Sequence, residues 1–271
     1  MTSYTDIEYE VNDPVAVIRL NRPEKLNALT YHTLGEIRDA IERAKEDPAV
    51  VGIVITGNGR GFCSGLDSQT LTEVTSDGGQ SRRASEDPNA LKGMFSYLLE
   101  VPKPIIAAVN GVAAGGGLVL ATMCDIRIAA TEASFVTIFL RRGLIAEHGT
   151  SWILPRMMTP GRALDLLWRS ERIGAEQAKE LGIVEFTCEL DELMDRARGY
   201  VEEVAATSAP LTVGETKHLV YNHLGMGYRE ALEEADTFQW RALERPDATE
   251  GAQALVEKRA PKFTRLGQGG S

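Results

Sequence analysis

Three consecutive glycines, Gly115 to Gly117, stand where a strand is predicted to give way to a helix. The apolar run from Ile105 to Val109 predicts a buried strand, and helical spacing resumes from Leu118 to Met123. Backbone N–H groups at such a helix start carry the positive end of the helix dipole and can receive an anion. Glycines also let a ligand oxygen approach the backbone closely. The pattern predicts one half of an oxyanion hole, or else a glycine turn that serves only tight packing.

The elements that must position this turn are predicted from hydrophobic periodicity. Apolar residues predict a β-hairpin over residues 7–11 and 15–20 and a further buried strand over residues 50–56. Thr30 is the predicted cap of the helix between them. This strand–helix–strand spacing indicates parallel strands with crossover helices, and the chain from Pro160 onward is mainly helical. The layout predicts an α/β core followed by a helical region.

Composition and charge limit the classes of function. The 271 residues include 43% hydrophobic and 25% charged residues, which is typical of a globular protein with one large domain or two small ones. A net charge of −10 argues against a nucleic-acid surface, because phosphate binding needs a basic field. The three cysteines form no disulfide or metal-binding pattern, and no apolar run is long enough to cross a bilayer. We therefore expect a cytoplasmic protein without a metal, a membrane segment or a nucleic-acid partner.

Five segments, in this order, resemble the crotonase superfamily of enoyl-CoA hydratases and isomerases. They are residues 22–29 (RPEKLNAL), 62–67 (FCSGLD), 110–117 (NGVAAGGG), 123–125 (MCD) and 257–263 (EKRAPKF). The resemblance implies an α/β crotonase (ClpP-like) fold, in which repeated ββα units form a spiral acyl-CoA-binding core over residues 1–205. It also implies a helical oligomerisation region over residues 206–271 that assembles homotrimers, or hexamers that are dimers of trimers.

The resemblance further implies a CoA thioester as substrate and no permanently bound cofactor. It places the two oxyanion donors on the backbone N–H groups of Ser64 and Gly116. The residues implied to contact CoA are Arg22, Lys25, Leu26, Ala28, Gly65, Leu66, Asp67 and Lys258. Lys258 matches a tail lysine that meets CoA phosphates, commonly from a neighbouring subunit. Because CoA is polyanionic, an acidic protein needs local cations of this kind to bind it.

One departure from the family pattern decides the predicted chemistry. Family hydratases hold and activate a water with two glutamates, and these positions match Val119 and Phe139 here. Neither side chain can accept a proton or bind water. Glu147 matches a carboxylate that some family isomerases use as their base, and isomerisation needs only one base. The sequence therefore predicts an enoyl-CoA isomerase-type proton shuttle in fatty-acid or related acyl-CoA metabolism, with Glu147 as the catalytic base. The predicted pocket lining is Val119, Phe139, Leu144 and His148.

Other interpretations stay open at the level of sequence. The chain also fits a hydratase with a non-standard arrangement, or a protein that binds acyl-CoA without catalysis, since both usual glutamates are missing. Glu147 is equally placed to cap the helix that follows it, and His148 fits a hydrogen-bonded structural role. The polar segment from Thr75 to Pro88 predicts a mobile loop near the acyl tail, and the sequence does not specify the acyl chain.

Overall fold

A computed structural model describes residues 4–76, 78 and 92–267 of the chain. Its strands, in chain order, are β1 (Ile7–Asn12), β2 (Val15–Leu20), β3 (Gly52–Gly57), β4 (Gly61–Cys63), β5 (Ile105–Val109), β6 (Val112–Ala114), β7 (Ile126–Ala130), β8 (Ser134–Val136), β9 (Ile173–Gly174) and β10 (Phe186–Cys188). Its α-helices are α1 (Tyr31–Glu46), α2 (Ser68–Ser76), α3 (Gly116–Met123), α4 (Thr150–Met157), α5 (Pro160–Arg169), α6 (Ala175–Glu180), α7 (Leu193–Thr207), α8 (Pro210–His223), α9 (Tyr228–Leu243) and α10 (Pro246–Glu257). Short 3₁₀ helices cover Pro23–Lys25, Ser96–Glu100, Leu140–Arg142 and Leu190–Glu192.

Two sheets organise the core. The larger has the order β1-β2-β3-β5-β7-β10, with only the β1–β2 pair antiparallel. The smaller has the order β4-β6-β8-β9, with only the β8–β9 pair antiparallel. Three successive pairs of strands, β3 with β4, β5 with β6 and β7 with β8, each place one strand in each sheet. The chain therefore advances as the expected spiral of repeated units, and β4 and β6 pair on adjacent turns.

Local sequence accounts for the elements that were predicted correctly. The predicted hairpin is the β1–β2 pair. Thr30 caps α1 through a capping box with Thr33. The Thr33 N–H donates to Thr30 Oγ1 at 3.1 Å, and the Thr30 N–H donates to Thr33 Oγ1 at 3.2 Å. The helix then buries Ile37 and Ile41 in the main hydrophobic core, so its polar face is left to solvent.

The glycine-rich turn contains a strand that the sequence did not predict. β6 pairs with β4 on one side and with β8 on the other. Its residues Val112, Ala113 and Ala114 are too few and too small to produce a recognisable period. The chain thus passes from β5 through β6 before α3 begins at Gly116. This extra strand places the start of α3 directly beside the end of β4.

One predicted boundary differs from the structure, and another is not tested by it. The loop predicted over residues 75–88 begins inside α2, which continues to Ser76, and beyond it only Gly78 of that segment lies within the described residues. The predicted boundary between residues 205 and 206 falls near the end of α7, and the division into two regions stays a prediction. In the described part of the chain, no helix is long and apolar enough to span a membrane.

A buried ionic cluster fastens α8 to the core. Lys217 donates to Asp125 Oδ2 at 2.7 Å and to the Leu98 carbonyl oxygen at 2.9 Å, and the Tyr221 hydroxyl donates to Asp125 Oδ1 at 3.0 Å. The Ile105 N–H donates to the same carboxylate at 2.8 Å, at the start of β5. Burial lowers the pKa of Lys217, and burial together with the Asp125 charge raises the pKa of Tyr221. Because every group has partners, the cluster joins helix and sheet without leaving a buried charge unpaired.

Candidate active site

Asn27 holds the loop that supports the predicted oxyanion turn. Its Oδ1 accepts a hydrogen bond from the Arg22 N–H at 2.9 Å. Its Nδ2 donates to the carbonyl oxygens of Asn58 and Gly61 at 3.0 and 2.8 Å. Leu26 and Asn27 both lie in the left-handed region, with φ of 50° and 55°, which asparagine tolerates better than most residues. The loop is therefore fixed against the start of β4, a role that the sequence analysis did not assign to Asn27.

The prediction that the Ser64 N–H is an oxyanion donor is wrong. That N–H donates to the Leu26 carbonyl oxygen at 2.9 Å, so it is committed to the protein. Leu66, two residues on, forms a parallel bridge with Leu29. In this bridge the Leu29 N–H donates to Gly65 O and the Asp67 N–H donates to Leu29 O, both at 2.8 Å. Since these two bonds flank Leu66, its own N–H points away from Leu29 and meets no acceptor in the described part of the chain.

The amides of Leu66 and Gly116 lie on two sides of one narrow gap. A Cβ placed on Gly116 would lie 3.6 Å from the Leu66 nitrogen and 3.5 Å from Gly65 Cα. A Cβ placed on Gly65, which has φ +91°, would lie 2.6 Å from the Ala114 carbonyl oxygen and 3.1 Å from the Gly116 nitrogen. Gly116 is the first residue of α3, so its N–H has no intrahelical acceptor. The gap therefore presents two adjacent N–H donors at the positive end of a helix dipole.

The glycines on either side of Gly116 allow tight packing, which is the second interpretation of the glycine run given by the sequence analysis. A Cβ on Gly117 would overlap the Cys63 carbonyl oxygen, so α3 lies directly on the end of β4. Gly115 precedes the helix with φ +50° and ψ −114°, a conformation that L-residues other than glycine rarely adopt. The packing interpretation therefore holds for Gly115 and Gly117, and the donor role of Gly116 stays a prediction.

Glu147 stands in a sharp bend before α4. Its side chain is 35% exposed, and its Oε1 lies 3.6 Å from Nε2 of His148, whose side chain is 17% exposed. The carbonyl oxygen of Glu147 accepts from the Thr150 N–H at 3.1 Å and from Thr150 Oγ1 at 2.7 Å, and the N-cap residue is Gly149. The backbone of Glu147 thus supports the helix start. Capping by the Glu147 carboxylate stays an alternative.

Helix α3 connects this bend to the donor pair. Gly116 begins the helix, and Met123 ends it. The Met123 Cε atom lies 2.7 Å from the position that a Cβ on Gly149 would occupy. A Cβ at position 149 would displace the Met123 side chain, and the φ of +86° at this position favours glycine. One short buried helix thus reaches from the Gly116 amide to the bend that contains Glu147.

Comparisons with known proteins show the family of this chain. A family model described as enoyl-CoA hydratase/isomerase matches residues 10–266. A 1,2-epoxyphenylacetyl-CoA isomerase from Escherichia coli is 33% identical over 94% of this chain and 96% of its own length. A crotonyl-CoA hydratase from Syntrophomonas wolfei is 33% identical over 96% and 98%. The crystal structure of an enoyl-CoA hydratase/isomerase from Mycobacterium paratuberculosis covers 97% of this chain and 99% of its own, at 35% identity and a TM-score of 0.83.

The chain belongs to the enoyl-CoA hydratase/isomerase family. It therefore has the crotonase fold and is an enzyme of acyl-CoA thioesters, as the sequence predicted. The structure places the two residues that the sequence analysis matched to the hydratase glutamates. Val119, on α3, is fully buried, and Phe139 is buried just before the 3₁₀ helix Leu140–Arg142. Neither provides an oxygen or nitrogen for a catalytic water. Leu144, also predicted to line the pocket, is half-buried against the main core.

Two residues predicted to contact CoA, Arg22 and Asp67, are paired with each other. Arg22 Nη2 lies 3.4 Å from Asp67 Oδ2, and its Nη1 donates to the Ala28 carbonyl oxygen at 2.5 Å. Asp67 Oδ1 also accepts from the Gln69 N–H at 3.0 Å, at the start of α2. Asp6 lies 3.9 Å from Arg22 Nε. Arg22 contacts Ala28, next to Leu29, and Asp67, next to Leu66, so it joins the residues on the two sides of the Leu29–Leu66 bridge. Arg22 and Asp67 therefore hold the donor loop, the segment that carries the Leu66 N–H.

The remaining predicted contacts occupy two separate places. Leu26 is half-buried and Ala28 buried in the donor loop, where Lys25 is exposed and free to meet an anion. Lys258 is exposed after α10, where it ends the helix with φ +53°. Among the described residues, no group of three or more His, Cys, Asp or Glu side chains is placed to hold a metal ion.

Proposed function

We propose that this enzyme is an enoyl-CoA isomerase in which Glu147 is the single catalytic base and the N–H groups of Leu66 and Gly116 bind the thioester oxygen. The observation that carries the proposal is the narrow gap between those two amides, neither of which meets an acceptor in the described part of the chain. The buried apolar side chains of Val119 and Phe139 support it. Because neither side chain can accept a proton, the candidate base is Glu147, the one acidic residue in the sequence from residue 139 to residue 150.

In the proposed reaction, a 3-enoyl-CoA thioester binds with its carbonyl oxygen between the two N–H groups. Glu147 removes a proton from C2, and the electrons of that C–H bond form a dienolate whose charge lies largely on the thioester oxygen. The protonated Glu147 returns the proton to C4, so the double bond moves from C3–C4 to C2–C3. Each N–H donor contributes ~3 kcal/mol to stabilising the transition state. One acid–base group suffices because no atom is added or lost.

Water addition is the second candidate, because one relative is named crotonyl-CoA hydratase. A hydratase must hold a water beside the double bond and remove its proton. The two family positions for that task carry buried hydrocarbon side chains, Val119 and Phe139. Double-bond migration by a single base is therefore better supported than hydration.

The test is the substitution Glu147→Gln, which keeps the size of the side chain and removes its basicity. We expect turnover of a 3-enoyl-CoA, followed by the absorbance of the conjugated product, to fall by about 10²- to 10⁴-fold. Affinity for a saturated acyl-CoA, measured by calorimetry, should stay within about threefold, because the donor gap is unchanged. Glu180→Gln, at an exposed position at the end of α6, is the matched control and should leave both quantities unchanged.

Each of the other possible outcomes of these assays indicates a different function. Retained turnover in the Glu147→Gln variant would place the base elsewhere. Loss of enoyl absorbance from crotonyl-CoA with the unmodified chain would identify a hydratase. Tight acyl-CoA binding with no product from any enoyl substrate would identify a binding protein without catalysis.

We also propose that residues 206–271 assemble the enzyme into a homotrimer or a dimer of trimers. Large apolar side chains are exposed on α9 and α10, namely Tyr228, Leu232, Trp240, Leu243, Leu255 and Val256. Exposed apolar surface on this scale is typical of a protein–protein contact. Lys258 follows α10 directly, so an assembly through these helices brings its charge to the surface of a neighbouring subunit. There it is available to the CoA phosphates.

A further inference from the structure

We propose that His148 is a positioning residue, whose imidazole Nε2 orients the carboxylate of Glu147 for proton transfer. The inference rests on the proposed function, in which Glu147 is the base. It assigns to His148 a task that neither the pocket-lining prediction nor the comparisons give it. Three features of the bend before α4 carry it: the backbone conformation of His148, the contacts that hold that conformation, and the distance between the two side chains.

The backbone of His148 is in a conformation that its side chain disfavours. Its φ is +54°, and Gly149 follows with φ +86°. A residue with a Cβ is strained in the left-handed region by about 1 kcal/mol, whereas glycine is not. Strain of this kind concentrates at functional sites, where the surrounding structure maintains it. Glycine would adopt this backbone conformation more easily than histidine. The presence of histidine at position 148 is therefore not explained by the backbone conformation.

Two neighbouring elements hold the strained bend in place. On one side, the segment at Gly93 approaches so closely that a Cβ on that glycine would lie 3.5 Å from His148 Cα. On the other side, Met123 from the end of α3 contacts Gly149. The bend is therefore confined between the 92–95 segment and the helix that begins at the Gly116 donor. The His148 backbone therefore packs against the 92–95 segment, and the Met123 side chain packs against the next residue, so the bend has little room to change its conformation.

The imidazole of His148 and the carboxylate of Glu147 lie next to each other. His148 Nε2 lies 3.6 Å from Glu147 Oε1. The imidazole is more buried than the carboxylate, with 17% of its side chain exposed against 35%. A ring held by its surroundings restricts the rotation of the carboxylate that it contacts. With Oε1 directed to the imidazole, Oε2 is the oxygen that accepts and returns the substrate proton.

The experiment compares His148→Gly with His148→Gln. Glycine suits the backbone conformation, so this variant is expected to fold, which thermal unfolding checks. It lacks the imidazole, so we expect kcat for 3-enoyl-CoA isomerisation to fall by about 10- to 100-fold, because a small misplacement of a catalytic group is costly. KM should stay within about twofold, since the thioester donors are untouched. Glutamine places an amide N–H near the position of Nε2 and should recover most of the lost kcat.

The outcomes separate this inference from the proposed function. Wild-type kcat in the His148→Gly variant, or a glutamine variant no better than the glycine one, overturns the positioning role if Glu147→Gln is inactive. A lower kcat/KM in both variants that comes only from a raised KM, with kcat unchanged, also overturns the positioning role, because that result indicates a role in binding. Full activity of Glu147→Gln overturns the proposed function itself. The inference is supported only when Glu147→Gln and His148→Gly both lose kcat and His148→Gln recovers it.

Discussion

At the scale of single residues, the absence of one methyl group at position 65 determines whether the donor gap can exist. Gly65 joins the end of β4 to Leu66 in a conformation with φ +91°, and the Ala114 carbonyl oxygen and the Gly116 nitrogen lie where its side chain would be. Backbone atoms cannot move aside as flexible side chains do. An added Cβ must therefore separate the two turns of the spiral that carry the donors.

Gly65→Ala should accordingly damage catalysis more than ordinary glycine replacements do. We expect kcat/KM to fall by about 10²- to 10³-fold, the effect of losing one oxyanion donor. The backbone strain should also lower the free energy of unfolding by about 1–3 kcal/mol. The control is Gly35→Ala, on the exposed face of α1, where a Cβ would meet nothing within 4 Å. There the free energy of unfolding, measured with urea, should rise by about 0.5–1 kcal/mol at unchanged activity.

The types of the site residues could be predicted from the sequence, but their hydrogen-bond partners could not. The glycine run correctly indicated a helix start, and Gly116 is the first residue of that helix. The second donor was assigned to Ser64, although the bridge between Leu29 and Leu66 decides which N–H faces the gap. A bridge between residues so far apart in the chain leaves no local signal in the sequence. For the same reason Arg22 and Asp67, correctly placed near the site, were not predicted to pair with each other.

At the scale of elements, the end of α1 depends on a cation from another part of the chain. Lys103 precedes β5 and is fully buried, and its Nζ donates to the carbonyl oxygens of Ala44 and Asp47 at 2.8 and 2.7 Å. The last carbonyl groups of a helix have no partner within it and carry the negative end of its dipole. Burial lowers the pKa of Lys103 to about 8. The lysine thus joins α1 to the strand that leads into the site.

Lys103→Met keeps the length and apolar character of the side chain and removes its donors. We expect the free energy of unfolding to fall by about 2–4 kcal/mol, because two buried carbonyl oxygens lose a charged donor. Urea unfolding measures the change. Lys45→Met is the control, since Lys45 is exposed and pairs with Glu42 at 2.9 Å on the surface of α1. It should change stability by less than about 0.5 kcal/mol, and an equal loss in both variants would contradict the capping role of Lys103.

Long periodic elements were predictable from the sequence, and the short strands β6 and β9 were not. The hairpin, the Thr30 cap and β5 follow from apolar alternation and capping chemistry. β6 and β9 have three and two residues, too few to show a period, and they exist because neighbouring strands offer pairing. Such strands are specified by tertiary context. The resemblance to a known family, rather than any local pattern, indicated that the strands form a spiral.

At the scale of the whole molecule, α9 and α10 present apolar surface that one subunit does not bury. Leu255 and Val256 are 80% and 82% exposed at the end of α10, and Trp240 is 60% exposed on α9. Burying such side chains between subunits contributes roughly 1.5–3 kcal/mol for each one fully removed from water. This surface is the physical basis for the proposed trimer or hexamer.

Leu255→Glu should dissociate that assembly, because it places a charge in the apolar contact. Light scattering with size-exclusion chromatography should show a shift from a trimer or hexamer toward a monomer. Leu190→Glu is the control, since Leu190 is 49% exposed outside these helices and should leave the assembly intact. An unchanged mass for the Leu255→Glu variant, or a monomeric unmodified chain, would contradict assembly through α10.

The order of the strands in the spiral also determines at which point of synthesis both donor amides are present. Leu66 follows β4 and Gly116 follows β6, so the two halves of the proposed thioester site belong to consecutive turns, brought into register by one pairing of short strands. A ribosome that has released the chain only as far as β5 has produced the first amide without its counterpart. Every nascent fragment that stops before α3 therefore lacks the site, however well its first turn has folded.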